Sequence, residues 1–387
     1  MQIKKFAIVI LTVVLTAATL MPCSLCAPAG RETELSRVAA KGAVLLDASD
    51  GSAGVLWEKN SHARLPMAST TKIMTALVAI ENLPLSTVVN IPAAAVGIEG
   101  SSVYLCEGEH QTLESLLYAL MLESANDAAT AIAIEVAGSV EKFAVMMNER
   151  AAVLGLCDTH FVNPHGLDDP DHYTSAYDLA LIAREAFRNP DFRKIAGTYR
   201  SSMPLGSSDG ARLLINHNRL LRTYPGAVGG KTGFTKKSGR CLVTAAERDG
   251  LMLISVTLSD PNDWDDHTKM LDFGFSGYEN ILLAVAGELE YPVSVTGGEQ
   301  NTVIATNLSD VRTTLPRSHG DIGMSVMLSK LAAAPVRRGD RLGTVTWTCD
   351  GSEIAAAELS AEYNAAKATN KKFNLLEWLL SLFGLEI

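Results

Sequence analysis

The middle of the chain shows the hydrophobic period of amphipathic helices. Apolar residues recur every three to four positions, which places them on one face of a helix. Between Thr70 and Glu81, for example, that face carries Ile73 and Ile80. The pattern predicts five helices, at about 70–81, 112–122, 127–137, 141–154 and 174–188.

Strand patterns lie on both sides of this helical region. Residues 43–58 contain two apolar runs around a turn of Asp, Gly and Ser, which predicts a β-hairpin. Two further apolar runs, 241–246 and 251–258, are separated by an Arg-Asp-Gly turn signal. Strands at both ends with helices between them indicate an α+β or α/β catalytic unit over about residues 32–284.

The last hundred residues divide into two segments. Short alternating runs separated by Gly and Asp predict a small β-rich domain over residues 285–365. In 366–387, lysines precede a helical pattern in which Asn374, Glu377 and Ser381 form a narrow polar stripe on an otherwise apolar surface. This segment is too short to span a bilayer. We expect an amphipathic anchor lying in the membrane interface; the alternative is a helix docked on the globular body.

The beginning of the chain has the layout of a secretory signal peptide. Lys4 and Lys5 precede an apolar run over 6–21, and Ala27-Pro-Ala29 supplies a small-residue cleavage site. The alternative is a retained anchor, but an apolar run of about 16 residues is short for a span. We therefore expect residues 1–29 to be removed and the protein to be exported.

Charge and cysteine content exclude several function classes. The net charge is −10, whereas nucleic-acid binding requires a basic surface, so no nucleic-acid partner is expected. After residue 29 the cysteines are widely spaced, without a C-x-x-C pair, which argues against a zinc or thioredoxin-like site. We expect no metal, no cofactor and four buried free thiols, although export would permit disulfides. These cysteines are Cys106, Cys157, Cys241 and Cys349.

The first of three chemical motifs is Ser69-Thr-Thr-Lys72, at the predicted start of a helix. One helical turn brings Ser69 and Lys72 to the same face, within hydrogen-bonding reach. A serine hydroxyl needs a base to become a nucleophile, and a lysine amine can serve if burial and nearby positive charge lower its pKa. The helix N-terminus would also direct the Ser69 backbone N–H toward a developing oxyanion.

The second motif, Ser124-Ala-Asn126, lies between two predicted helices. Its hydroxyl could relay a proton to a leaving amine. The Asn126 amide can both donate to and accept from a peptide bond.

The third motif is Lys231-Thr232-Gly233, which leads toward the strand at Cys241. An edge strand can hold an extended peptide by main-chain pairing. Gly233 would let the substrate backbone approach closely, while Lys231 and Thr232 would supply charge and a hydroxyl for a terminal carboxylate.

Each motif is weak alone, but their order in one exported chain indicates a serine acyl-enzyme hydrolase. The sequence resembles the low-molecular-mass penicillin-binding proteins of the D-alanyl-D-alanine carboxypeptidase type. The likeness is carried by Met67–Ala76, Tyr118–Ala128, Phe161–Leu167 and Gly230–Thr235, and it continues through the β-rich segment and the tail.

The resemblance implies an α+β fold of the β-lactamase and transpeptidase type. Such a fold has an antiparallel sheet with flanking helices and a helical subdomain, followed here by a small all-β domain and an amphipathic C-terminal helix. It also implies removal of the terminal D-alanine from peptidoglycan stem peptides, and inhibition by β-lactams. The expected location is the outer face of the cytoplasmic membrane.

The resemblance assigns roles to the motif residues. Ser69 would form the acyl-enzyme, Lys72 would accept its proton, and Ser124 would be the second catalytic hydroxyl. Asn126 would bind the substrate amide. The backbone N–H groups of Ser69 and Phe234 would form the oxyanion hole.

The expected carboxylate site departs from that of some relatives. Lys231 and Thr232 would bind the carboxylate by resemblance, but the stretch 259–269 is acidic and lacks an arginine found in some relatives. The carboxylate would therefore depend more on Lys231. Glu123 stands where a proline is common in relatives.

Two other functions fit parts of the pattern. A class A β-lactamase needs a glutamate that activates deacylating water, and residues 162–176 contain no Glu-x-x-Leu-Asn pattern. A non-catalytic penicillin-binding scaffold would be favoured by loss of Ser69, Lys72 or Lys231, and all three are present.

Overall fold

The computed structural model describes residues 35–50, 54–206 and 209–368. The predicted signal peptide and the predicted amphipathic tail lie outside these residues, apart from the tail's first three positions. Within the described part, no helix is both long enough and apolar enough to cross a membrane.

Helices and strands are grouped in separate runs along the described residues, as expected for an α+β fold. The helices are α1 (Lys72–Asn82), α2 (Leu113–Leu122), α3 (Asn126–Ala137), α4 (Val140–Val153), α5 (Ala176–Arg188), α6 (Pro190–Gly197), α7 (Leu220–Thr223) and α8 (Asp263–Gly277). The first strands are β1 (Gly42–Asp47), β2 (Val55–Lys59), β3 (Val88–Asn90), β4 (His110–Thr112), β5 (Arg200–Pro204), β6 (Ala211–Ile215), β7 (Ala227–Thr235), β8 (Gly239–Arg248) and β9 (Leu251–Leu258). The later strands are β10 (Tyr278–Ala284), β11 (Glu290–Thr296), β12 (Thr302–Thr306), β13 (Val311–Pro316), β14 (Ile322–Leu328), β15 (Ala332–Ala333), β16 (Arg341–Cys349) and β17 (Ser352–Ala361).

The central sheet is antiparallel, with strand order β2-β1-β9-β8-β7. It contains the hairpin and the two strands that the apolar runs predict. Strand β1 is buried along its whole length because both sheet faces are covered. Val44 and Leu46 pack in a core shared with α1 to α5, whereas Ala43 and Leu45 pack in a second core shared with α8.

The five predicted helices are all present, and their ends agree within two residues. The Ser175 side chain accepts a hydrogen bond from Asp178 N, as the capping pattern predicts. The first helix needs one correction. Residues Ala68–Thr71 form a separate 3₁₀ turn and α1 begins at Lys72, so Ser69 lies in the tighter turn before the helix.

The C-terminal strands form a six-stranded sheet with the order β14-β16-β17-β12-β11-β15. A further ladder joins β10 to β13. Val293, Val345 and Trp347 belong to a hydrophobic core separate from the two cores of the central sheet. The predicted α+β unit with an all-β C-terminal region is therefore confirmed, whereas the boundary at residues 284 and 285 stays a prediction.

The expectation of four buried thiols is wrong for two of them. All four described cysteines are free, but Cys106 and Cys157 are exposed, and only Cys241 and Cys349 are buried. Cys106 precedes the Glu-Gly turn at 107–108, and turns run over the surface. Local turn chemistry therefore outweighs the general tendency of cysteine to be buried.

Candidate active site

The serine of the first motif lies in a strained turn beside a buried lysine. Ala68, immediately before Ser69, has a φ of 48°, a value that a residue with a side chain seldom adopts. The turn is held by the hydroxyl of Thr71, which donates to Ala68 O at 2.8 Å. Lys72 Nζ lies 2.9 Å from Ser69 Oγ, the contact that the spacing predicts.

The environment of Lys72 favours the uncharged form of its amine. Its side chain is fully buried, and Nζ contacts Asn126 Oδ1 at 2.7 Å and His165 O at 2.6 Å. Burial, and then the positive charge of Lys231, lower the pKa of Lys72 well below its ordinary value. A neutral amine has two N–H bonds and one lone pair. In that neutral form, with one N–H bond donated to each of the two oxygens, the lone pair would face the Ser69 hydroxyl.

The loop over 163–167 packs against the turn that contains Ser69. Asn163 Oδ1 accepts a hydrogen bond from Gly166 N at 2.7 Å, and Thr75 Oγ1 donates to Pro164 O at 2.6 Å. Gly166 has a φ of 91°, and a Cβ there would lie 1.9 Å from Ala68 O. Only glycine fits at this position, because any side chain would displace the turn that contains Ser69.

The two polar residues of the second motif, Ser124 and Asn126, have different environments. Ser124 has a φ of 60° and connects α2 to α3. Asn126 is the first residue of α3, and its Nδ2 donates to Glu99 O at 2.5 Å while its Oδ1 accepts from Lys72. Both ends of this amide are therefore bound to the protein, and Asn126 holds Lys72 in place.

The third motif lies on β7, which is an edge strand of the central sheet. Lys231 is 2% exposed and donates to Thr232 O at 2.9 Å. Burial lowers its pKa to about 7, against the opposing charge of Glu123. A Cβ on Gly233 would lie 3.0 Å from Ser69 N, so this glycine allows the strand to pass close to Ser69.

A groove of about 340 Å³ opens between these elements. It brings together five of the eight residues that the sequence predicts for the site, and the remaining three, Lys72, Asn126 and Lys231, do not line it. The predicted residues that line it are Ser69, Ser124, Thr232, Gly233 and Phe234. The lining also includes five residues that the sequence analysis missed, which are Ser101, His217, Arg240, Asp263 and Trp264.

Arg240 could have been found from strand register. It stands directly opposite Phe234 in the β7–β8 ladder, and a hairpin that starts at the third motif must return past it. Its guanidinium donates to Asp263 Oδ1 at 2.7 Å. The acidic stretch that lacks an arginine of its own thus receives one from the neighbouring strand. His217 Nε2 lies 3.4 Å from Glu123 Oε2, and no local sequence motif predicts this contact.

Comparison with known proteins gives a consistent result for both halves of the chain. The family model described as D-alanyl-D-alanine carboxypeptidase matches residues 29–262. The chain belongs to this family. It is a serine-type D-alanyl-D-alanine carboxypeptidase, which confirms the enzyme class predicted from the motifs. A second family model, the C-terminal domain of penicillin-binding protein 5, matches residues 278–367.

Individual relatives cover most of the chain. The D-alanyl-D-alanine carboxypeptidase DacF of Bacillus subtilis is 34% identical over 360 residues, covering 90% of this chain and 92% of its own length. DacA of Escherichia coli is 32% identical and covers 82% and 81%. The crystal structures of penicillin-binding protein 5 from Haemophilus influenzae match with a TM-score of 0.72 and 28% identity, over 86% of this chain and 98% of that one.

Proposed function

We propose that Ser69 is the acylated nucleophile of this carboxypeptidase and that Lys72 is its base. The observation that carries this proposal is the arrangement of the Lys72 amine, whose two N–H bonds are taken by Asn126 and His165. The hydroxyl of Ser69 is the remaining neighbour and gives its proton to the amine as Oγ attacks the carbonyl carbon of the penultimate D-alanine.

The same proton completes the first half of the reaction. The tetrahedral intermediate collapses by breaking the C–N bond, and the leaving nitrogen takes the proton, by way of the Ser124 hydroxyl. Free D-alanine departs and an ester on Ser69 remains. Water then adds to the ester carbonyl while Lys72 takes its proton. As the C–O bond breaks, Lys72 returns this proton to Ser69 Oγ, and the shortened peptide leaves with a new terminal carboxyl group. The backbone N–H groups of Ser69 and Phe234 would stabilise the oxyanion in both halves.

The remaining motif residues would hold the peptide. The substrate would extend along the free edge of β7, where Thr232 provides a hydroxyl and Gly233 a close approach. Lys231 would act mainly through its charge, because its amine is buried behind Thr232. Asn126 would bind the substrate amide through whatever hydrogen-bonding capacity Lys72 and Glu99 leave to it.

The substrate class that fits is the peptidoglycan stem peptide ending in D-Ala-D-Ala, with β-lactams as inhibitors that acylate Ser69. The proposed location is the outer face of the cytoplasmic membrane. Export would follow cleavage after residue 29, and the segment 366–387 would lie in the interface as an amphipathic helix. Binding of the full and the tail-less chain to anionic vesicles tests the anchor, which is wrong if both bind equally.

Mass spectrometry of the tail-less protein tests the reaction. Diacetyl-L-Lys-D-Ala-D-Ala and benzylpenicillin would be supplied separately, with Ser69→Ala as the control. We expect free D-alanine from the peptide and a long-lived penicilloyl adduct, both absent from Ser69→Ala.

Other results would point elsewhere. An adduct without D-alanine would indicate a binding or transpeptidase role. Rapid turnover of penicillin would indicate a β-lactamase, and the absence of any adduct would contradict the assignment of Ser69 as nucleophile.

A further inference from the structure

Arg240 brings a guanidinium to the groove that contains the nucleophile. It lies on β8 directly opposite Phe234, and its side chain is 43% exposed. Among the described residues that line this groove, it is the one with a permanent positive charge; Ser69 and Thr232 line the same space.

The guanidinium is held in a fixed orientation. One Nη donates to Asp263 Oδ1 at 2.7 Å, and the guanidinium carbon lies 5.7 Å from the centroid of the Trp264 ring. Arginine has five N–H donors in a planar fork. The contact with Asp263 uses one of them, which leaves donors for a second carboxylate in bidentate geometry.

The surrounding charges favour such a second carboxylate. Asp263 is buried at the N-terminus of α8, where the helix dipole partly offsets its negative charge, and it also accepts from Trp264 N at 2.9 Å. The guanidinium of Arg219 lies 5.3 Å from the centroid of the same Trp264 ring. Two guanidinium groups thus contact the indole ring that follows Asp263 in the chain, and both would attract an incoming anion.

Lys231 is less suited to direct contact. It is 2% exposed, does not line the groove, and gives a hydrogen bond to Thr232 O. Burial also lowers its pKa to about 7, so its charge is lost as the pH rises above neutrality.

We infer that Arg240, held by Asp263, binds the free C-terminal carboxylate of the peptide and so selects terminal over internal D-Ala-D-Xaa bonds. This inference rests on the proposed function of the groove and adds a specificity-determining residue to it. An internal peptide bond presents a neutral amide where the terminal substrate presents a carboxylate, so it would gain nothing from the guanidinium.

A pair of substrates differing at one group tests the inference. Diacetyl-L-Lys-D-Ala-D-Ala would be compared with its C-terminal amide on the wild type, Arg240→Gln, Arg240→Lys and Asp263→Asn. We expect Arg240→Gln to lower kcat/KM for the acid by roughly 10- to 100-fold, as for loss of a charged hydrogen bond, and to leave kcat/KM for the amide nearly unchanged. Arg240→Lys should retain part of the preference, because it keeps the charge but not the fork. Asp263→Asn should weaken the preference by misorienting the guanidinium.

Arg222→Gln is the matched control, because Arg222 stacks on Tyr199 and does not line the groove. It should leave both substrates unaffected. Equal losses on acid and amide in Arg240→Gln would show a structural role and overturn the inference, as would no loss on either.

Benzylpenicillin and its methyl ester separate this inference from the proposed function. If the wild type releases no D-alanine but forms a penicilloyl adduct, the proposed peptidase function fails. The ratio of acylation rates for the free acid and the ester then still tests Arg240. A ratio unchanged by Arg240→Gln would overturn its role in binding carboxylates.

Discussion

The catalytic region and the C-terminal β region bury very different side chains. Around Ser69, the proposed nucleophile, Lys72, Lys231 and Asp127 are almost completely buried, although each carries an ionisable group. In residues 278–368, as far as the structure describes them, no Asp, Glu, Lys, Arg or His side chain is buried, and the buried hydroxyl and amide side chains belong to Thr, Ser, Asn and Tyr278. The first region keeps costly groups in a low-dielectric interior, and the second excludes them.

Backbone strain has the same distribution. Before residue 278, six described non-glycine residues have positive φ values, and two of them, Ala68 and Ser124, lie at the proposed site. In residues 278–368 the described non-glycine residue with positive φ is Asp350, in the tight Asp-Gly turn between β16 and β17. Backbone strain and buried ionisable groups therefore occur together at the proposed site. The C-terminal sheet forms without either feature in its core.

The largest effect should come from removing the base. Lys72→Met keeps the length and apolar stem of the side chain but takes away the lone pair that faces Ser69. We expect the rate of acylation by labelled penicillin to fall roughly 10²- to 10⁴-fold, the usual contribution of a positioned base. Lys194→Met is the control, because Lys194 is 62% exposed and paired with Glu114. Near-wild-type acylation in Lys72→Met would show that the buried lysine is not the base. The buried ionisable groups would then no longer distinguish the two regions by function.

Two glycine substitutions compare the regions directly. Gly166 and Gly339 have similar φ values of 91° and 89°, but a Cβ on Gly339 has nothing within 4 Å. Gly339→Ala should therefore cost only about 1–2 kcal/mol for the left-handed backbone. Gly166→Ala adds a clash with Ala68 O and should cost roughly 3 kcal/mol or more, with loss of acylation. Urea unfolding measures both free energies, and equal costs would contradict the described packing below Ser69.

A large-to-small substitution in the core of the β region should lower stability without changing activity. Val345 is fully buried in the core of that region. Val345→Ala should lower the free energy of unfolding by about 1–2 kcal/mol, through lost apolar contact and a small cavity. Because no residue of 278–368 lines the groove, the acylation rate should stay within twofold of wild type. A tenfold slower acylation would show that the β region helps to shape the site.

The regular parts of the fold could be predicted from the sequence because their patterns are local. Apolar runs around turn residues predict the hairpin β1–β2 and the strands β8 and β9. The capping serine predicts the start of α5. The contact between Ser69 and Lys72 follows from their spacing alone. The 3₁₀ turn was missed because helical period does not distinguish it from the first turn of α1.

The rest of the site depends on contacts between distant segments. His165 supplies its carbonyl, and Gly166 its lack of a side chain, from a loop some ninety positions after Lys72. Arg240 and Asp263 meet only because β8 and α8 lie side by side. Residue type predicts neither contact, and the resemblance of the 161–167 segment to relatives identified that loop without giving its physical role.

The smallest expected effect concerns the pH dependence of stability. The pKa of Lys231 is lowered to about 7, so between that pH and its ordinary value the unfolded chain binds a proton that the folded chain does not. Stability from this group therefore rises with pH through this window, by about 1 kcal/mol per pH unit. Lys231→Met lacks the titrating amine and should not show this rise. From pH 7.5 to 9, the free energy of unfolding of the wild type should therefore increase relative to that of the variant by about 1 kcal/mol per pH unit. The exposed Lys237→Met should instead run parallel to wild type. If wild type and Lys231→Met instead show parallel dependences of the free energy of unfolding on pH, the buried lysine keeps its proton. The desolvation that distinguishes the catalytic region from the β region would then be much weaker than the burial of Lys231 indicates.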